Sequence, residues 1–190
     1  MKIALLGESP TDSESVKNLF SRHYAEAEFK TLLFGIHGSN LDDLNNQLRR
    51  LIRIEYEDYQ PGLLIFIRDL DGLNDTTGRK KKRKLQGVFS KIKGIVEDRA
   101  IFMLNIYELE ALILADVQTF NQTYLVDLQL SENAMDIPEP KEILKKATAG
   151  KSRKHDQSHN PEIFEKIDFK IIQANHAGFR LFVKRFEKWL

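Results

Sequence analysis

The chain has no cysteine, and this absence excludes several kinds of functional site at once. Without thiols there is no disulfide framework, no thiolate zinc site and no cysteine nucleophile, so a metal ion would need oxygen or imidazole ligands. Proline and glycine are also scarce, with five and ten among 190 residues, which is typical of a globular chain. We expect residues 1–190 to form a single domain with one core.

Long hydrophobic segments are absent as well. No segment approaches the roughly 18 apolar residues that a membrane-spanning helix needs. The apolar run near the amino terminus, residues 3–6, is too short for the hydrophobic region of a signal peptide, and no small-residue cleavage site follows it. The sequence therefore predicts a cytoplasmic protein that does not bind a membrane.

Charge is nearly balanced, at +1, but it is unevenly placed along the chain. Six consecutive residues form a basic run: Arg79, Lys80, Lys81, Lys82, Arg83 and Lys84. A basic run of this kind releases counterions when it contacts a nucleic-acid backbone, so nucleic acid is the predicted partner. The alternative is a solvated helix face without a ligand. Aromatic residues are not interleaved with the charges, so base stacking is not predicted.

Four apolar runs, at residues 3–6, 29–34, 63–67 and 101–106, predict buried parallel strands. A helical pattern follows each of them, and Thr11 with Glu14 has the spacing of a capping box for the first helix. This alternation predicts an α/β fold, a mostly parallel central sheet with helices on both faces. The βα core would span residues 1–116, followed by a basic and helical extension, residues 117–190.

Carboxylates follow three of the predicted strands. Glu8 and Asp12 follow the first, Asp69 and Asp71 follow the third, and Glu110 begins the helix after the fourth. Each has a purely structural alternative, because acidic residues also stabilise helix amino termini and form turns. Carboxyl ends of parallel strands meet at one edge of a sheet, where ligands bind. Convergence there predicts a site for Mg²⁺ or Mn²⁺ rather than zinc.

The order of these motifs resembles the TOPRIM domain, a fold shared by topoisomerases, bacterial primases and nucleases of the overcoming-lysogenization-defect type. Residues 7–12 are similar to the Glu-Gly-x-x-Glu segment of the nuclease branch, with Asp12 in place of the second glutamate. Residues 107–116 resemble the Glu-Ala-Trp-Leu-Leu-Ala-Asp signature of a small bacterial TOPRIM-like family. The resemblance implies metal-dependent hydrolysis of nucleic acid, a possible partner ATPase and a role in phage defence.

The resemblance also implies a role for each matching residue. Glu8 would be a metal ligand or the general base, Asp12 a supporting ligand, and Glu110 the signature glutamate. Asp69 and Asp71 would bind a pair of metal ions. A lysine of the basic carboxyl-terminal half would stabilise charge on the phosphate, and the two candidates are Lys151 and Lys154.

Two other functions remain open from the residues. The chain has Ser9 and Leu112 where the related motifs have glycine and tryptophan, which weakens the nuclease interpretation. The alternative is a non-catalytic module that binds nucleic acid or a partner ATPase. The run from Asp69 to Gly72 also resembles the Asp-x-Asp motif of haloacid-dehalogenase phosphatases. In that family, however, the motif follows the first strand, and here it follows the third.

Overall fold

The structure, a computed structural model, describes residues 1–33, 44–70, 72 and 76–190, with only the backbone of Thr76. Within these residues, the sheet has four strands: β1 Lys2–Leu6, β2 Glu28–Thr31, β3 Leu63–Asp69 and β4 Ala100–Asn105. All neighbours are parallel and the order is β2-β1-β3-β4. The predicted α/β class with a parallel central sheet is confirmed. The predicted end of the second strand, Phe34, lies outside the described residues.

Helices cover both faces of the sheet. Their bounds are α1 Pro10–His23, α2 Asn46–Tyr59, α3 Thr76–Ile95, α4 Ala111–Ala115, α5 Val117–Tyr124, α6 Pro140–Ala147, α7 Asn160–Phe164, α8 Phe169–Asn175 and α9 Ala177–Phe186. Alternate residues of the buried strands supply the two faces, so one core cluster contains Ile65 and the other contains Phe66. No helix within the described ranges has the length and apolar composition to cross a membrane.

The two faces of the sheet are packed by different parts of the chain. Helices α2 and α3 cover one face. The other face is covered by α1 together with the helices beyond residue 110. Phe20 of α1 is fully buried, and its ring lies 5.3 Å from the rings of Phe169 and Phe186. The carboxyl-terminal extension therefore packs directly on the core formed by the first helix.

The first helix begins earlier than its predicted capping box. Ser9 is the N-cap: its hydroxyl accepts from the backbone N–H of Asp12, and the Asp12 carboxylate accepts from the Ser9 N–H. The predicted box of Thr11 and Glu14 is wrong, because Glu14 lies one turn inside the helix and accepts from the Thr31 hydroxyl. Pro10, with its preset φ, favours the observed start.

Candidate functional site

The strand register brings Glu8 beside the end of β3. Leu6 pairs with Phe66, so the two residues after each lie next to one another at the carboxyl edge of the sheet. The Glu8 carboxylate lies 3.8 Å from the Nε atom of Arg68 and accepts a 3.4 Å hydrogen bond from the backbone N–H of Asp69. Arg68 is only 1% exposed, so its charge acts in a desolvated setting.

Asp12 belongs to the same edge through the close turn at Gly7. The Gly7 N–H donates to the hydroxyl of Ser13, and a Cβ atom on Gly7 would lie 2.3 Å from that oxygen. Glycine thus allows β1 to turn sharply into α1, which directs the buried Asp12 toward the site. One Asp12 oxygen is already bound by the Ser9 N–H, so helix capping and membership of the cluster coexist.

Asp69 is held by the neighbouring strand and the segment that follows it. The Nδ2 group of Asn105, the residue opposite in the register, donates to Oδ1 at 2.8 Å. The backbone N–H of Leu109 lies 3.3 Å from Oδ2. Both carboxylate oxygens therefore have a donor, and the side chain is fixed at the junction of β3 and β4.

Glu110 reaches the site from the amino terminus of α4. It is 2% exposed, and its Oε1 atom accepts a 3.0 Å hydrogen bond from Nδ2 of Asn160. Glu108 points elsewhere, since its carboxylate accepts from the backbone N–H of Lys141 at the start of α6. Both glutamates precede α4, which begins at Ala111, and only Glu110 joins the cluster.

The carboxyl groups of Glu8, Asp12, Asp69 and Glu110, which we call the acidic edge, are coupled electrostatically. Burial, then the charge of Asp12, raises the pKa of Asp69 well above its ordinary value, and Glu110 and Glu8 add to the effect. Burial also raises the pKa of Asp12 and of Glu110. These shifts mean that the edge carries more negative charge than its surroundings stabilise.

Hard oxygen donors and excess negative charge are the chemistry that a divalent cation neutralises. Within the described ranges, however, no three Asp, Glu or His side chains are grouped closely enough to hold a metal ion as they lie. Glu8, Asp12, Asp69 and Glu110 each accept a hydrogen bond from a donor of the protein instead. The predicted ligand Asp71 lies outside the described residues.

Gly72 is bonded to the segment that follows β4. Its φ is +110°, a conformation that glycine alone adopts readily, and its N–H donates to the carbonyl of Ile106. A Cβ atom at Gly72 would approach the ring of Tyr107 to 3.4 Å. Gly72 is therefore tied to the segment after β4, on which Glu110 lies.

The predicted basic residues lie at two places. The basic run, residues 79–84, occupies the first turns of α3, where Arg79, Lys80, Arg83 and Lys84 are exposed. Lys151 and Lys154 are exposed in the segment between α6 and α7. The lysine whose charge lowers the pKa of Glu110 is instead Lys141, at the start of α6.

The sequence model of a family described as a domain of unknown function, DUF4276, matches residues 7–187. The chain belongs to the DUF4276 family. No curated protein and no solved structure matches it. The DUF4276 match begins at Gly7 and covers every residue of the acidic edge, so the site lies inside the family's boundaries.

Sequence reasoning missed several residues of this DUF4276 site. Arg68 could have been predicted from the sequence, because a charged side chain in a strand that is otherwise apolar needs a buried partner. Asn105 could also have been predicted, because it is a polar residue that ends a buried strand beside Asp69. No local pattern indicated Asn160, because its hydrogen bond to Glu110 joins segments 50 residues apart.

Proposed function

We propose that this chain hydrolyses phosphodiester bonds of nucleic acid, with Mg²⁺ or Mn²⁺ bound at the acidic edge. The observation that supports this most is the state of Asp69, a carboxyl whose pKa is raised chiefly by burial and further by three neighbouring carboxyls. Raised pKa values with specific charged partners are concentrated at functional sites. A buried carboxyl beside other carboxyls does not stabilise the folded protein, so binding of a ligand is the simplest explanation for this cluster.

Asp69 and Glu8 are the residues that would hold the cation. Asp69 ends β3, Glu8 follows the end of the neighbouring strand β1 by two residues, and the Glu8 carboxylate already contacts the backbone N–H of Asp69. Asp12 and Glu110, each at the amino terminus of a helix, would add negative charge around the cation. When bound, a divalent ion stabilises the charge that develops on phosphate oxygens during hydrolysis. The chain itself would orient the phosphate and accept a proton from water at Glu8.

The basic run supports a polyanionic substrate. Helices turn back from the carboxyl edge after each strand, so the first turns of α3 lie at the same end of the sheet as the acidic edge. Positive charge near a helix amino terminus is unfavourable, and Arg79 and Arg83 form a like-charged pair at i and i+4. Their placement costs helix stability, and binding to a phosphate backbone would offset that cost.

The experiment is cleavage of end-labelled single-stranded DNA, duplex DNA and RNA with Mg²⁺, with Mn²⁺ and with a chelator. Asp69→Asn and Glu8→Gln are expected to lower cleavage by more than about 100-fold, since even residues that only support metal ligands are worth 10- to 100-fold. The matched control is Asp58→Asn, which changes a carboxylate that is 79% exposed and pairs with Lys30. Wild-type cleavage by the Asp69 and Glu8 variants would reject the site.

Binding can be measured separately from turnover. Replacing Arg79 and Arg83 by alanine is expected to weaken nucleic-acid binding and to reduce its salt dependence by about one unit of logarithmic slope for each lost phosphate contact. Substitution of the acidic edge should leave that slope unchanged. Equal salt slopes in the wild type and the double arginine variant would remove the basic run from the interface.

A second function is favoured by one observation, the ion pair between Glu8 and Arg68. A buried guanidinium supplies positive charge to the edge without a metal ion, which suits a non-catalytic module that binds nucleic acid or a partner ATPase. Salt-sensitive binding, with no cleavage under any metal condition and no measurable Mn²⁺ affinity, would favour this module over the nuclease.

A further inference from the structure

A buried polar chain runs from the acidic edge into the carboxyl-terminal half. Glu110 accepts from Nδ2 of Asn160 at 3.0 Å, and Oδ1 of Asn160 lies 3.1 Å from Nε2 of His155. Exposure is 2% for Glu110, none for Asn160 and 4% for His155. Because buried polar groups without partners are costly, this row of hydrogen bonds is a specific connection between segments about 50 residues apart.

The chemistry of the three groups fixes the direction of both hydrogen bonds. An ionised carboxylate only accepts, so the amide NH₂ of Asn160 must face Glu110 and its oxygen must face His155. The histidine must then carry its proton on Nε2. Its Nδ1 atom is buried, without a hydrogen-bond partner among the described residues, beside the rings of Phe120 and Tyr124.

His155 also closes a loop that carries positive charge. Its backbone N–H donates to the hydroxyl of Thr148 at 2.8 Å, and Thr148 is fully buried at the end of α6. Between these two residues lies an exposed segment, residues 149–154, which we call the basic loop; it contains Lys151, Arg153 and Lys154. The base of the basic loop is thus attached to Glu110 through Asn160.

We propose that Asn160 is a positioning residue that holds Glu110 toward the acidic edge and couples cation binding there to His155 and the basic loop. The inference rests on the proposed function, since it assigns a cation to the acidic edge. Residues that orient metal ligands by hydrogen bonds are worth about 10- to 100-fold in metal affinity. A cation that attracts the Glu110 carboxylate would change the hydrogen bond to Asn160, and through it the bond to His155.

Wild-type protein tests the coupling without any substitution. Imidazole nitrogen and proton resonances of His155 are followed by NMR while diamagnetic Mg²⁺ is added. We expect free His155 to be the Nε2–H tautomer, and its resonances to shift with the same midpoint as those of the Asp69 backbone amide. His176 is the internal control, because it is equally buried but hydrogen-bonded to the Phe179 N–H in another part of the molecule.

The variant Asn160→Leu tests positioning, with Mn²⁺ affinity measured by calorimetry. Loss of the amide is expected to weaken Mn²⁺ binding by about 10- to 100-fold. The matched control is Asn121→Leu, since Asn121 is also buried and makes two hydrogen bonds, but only to the backbone of Leu128. The control should bind Mn²⁺ as the wild type does.

Three outcomes separate this inference from the proposed function. Mg²⁺-dependent shifts at His155 but not at His176, with weaker Mn²⁺ binding by Asn160→Leu, support it. An unmoved His155 in protein that does bind Mg²⁺ overturns the coupling and leaves the metal site standing. Absence of Mg²⁺ and Mn²⁺ binding by the wild type overturns both. If Asn160→Leu does not fold, the coupling is judged from the His155 and His176 resonances of the wild type alone.

Discussion

The buried histidine His176 should make the protein sensitive to mild acid. Its side chain is 4% exposed, and burial lowers its pKa from 6.5 to about 4. The folded protein therefore keeps the ring neutral while the unfolded chain binds a proton below pH 6.5. The stability contribution is present above pH 6.5 and is lost as pH falls toward 4.

The magnitude follows from the two pKa values. At pH 5 the solution is about 1.5 pH units below the pKa of His176 in the unfolded chain, so His176 is protonated there. In the folded protein, where the pKa of His176 is about 4, the ring still binds almost no proton. One unit corresponds to about 1.4 kcal/mol, so His176 should cost about 2 kcal/mol of unfolding free energy between pH 7 and pH 5. The melting temperature of a chain of this size would fall by about 4–8 °C from this group alone.

The assay compares the wild type with His176→Asn by urea unfolding at pH 7 and pH 5. His176 caps α9 by accepting from the Phe179 N–H, and asparagine is a good replacement because it keeps a side-chain acceptor without a proton-binding ring. The variant is expected to lose about 2 kcal/mol less than the wild type between the two pH values. The raised pKa of Asp69 acts in the opposite direction, but equally in both proteins, and cancels in the difference.

A difference below about 0.5 kcal/mol between the two pH responses, the usual limit for independent effects, would refute the reasoning. It would mean that His176 is hydrated in the folded protein or already protonated in its cap. A lower stability of His176→Asn that is equal at both pH values would show only lost packing, and would count against the titration argument in the same way.

Two further substitutions test the geometry of the acidic edge. Gly7→Ala should lower the unfolding free energy by about 1–3 kcal/mol, because the new Cβ atom would displace the buried Ser13 hydroxyl. The control is Gly87→Ala, where the Cβ atom meets open space, and chemical unfolding of this variant should show no loss of stability. Arg68→Met should cost about 1 kcal/mol at pH 7, because it removes the buried cation that faces Glu8 while water screens the 36% exposed Glu8 side chain. An unfolding free energy equal to that of the wild type would show that the ion pair is not what holds Glu8.

The sheet could be predicted from sequence because its strands are apolar on both faces. Residues such as Ile65 and Phe66 are fully buried on opposite sides, which only a covered parallel strand explains. The edge positions of Glu8 and Asp69 followed from where those strands end. The first capping box was placed wrongly, because Thr11 and Glu14 have the same spacing as Ser9 and Asp12 and spacing alone does not choose between them.

The rest of the site was hidden because its contacts join distant segments. Asn160 touches Glu110 across 50 residues, and no local pattern marks either residue as half of a pair. His155 lies in a polar stretch that looks exposed, yet its ring is buried by Phe120 and Tyr124. Burial of a polar residue is a property of tertiary packing, so it becomes visible only when the layers of the fold are assembled.

The balance of charge at the acidic edge connects these findings. Four carboxyls, those of Glu8, Asp12, Asp69 and Glu110, are offset by the guanidinium of Arg68 and the more distant ammonium of Lys141. Protons and divalent cations are the two means of neutralising the remainder, and they compete for the same oxygens. The raised pKa of Asp69 identifies the carboxyl on which a proton is retained first when no cation is bound. A cation at this edge would therefore release protons as it binds, which distinguishes a used metal site from a carboxyl cluster that Arg68 already neutralises.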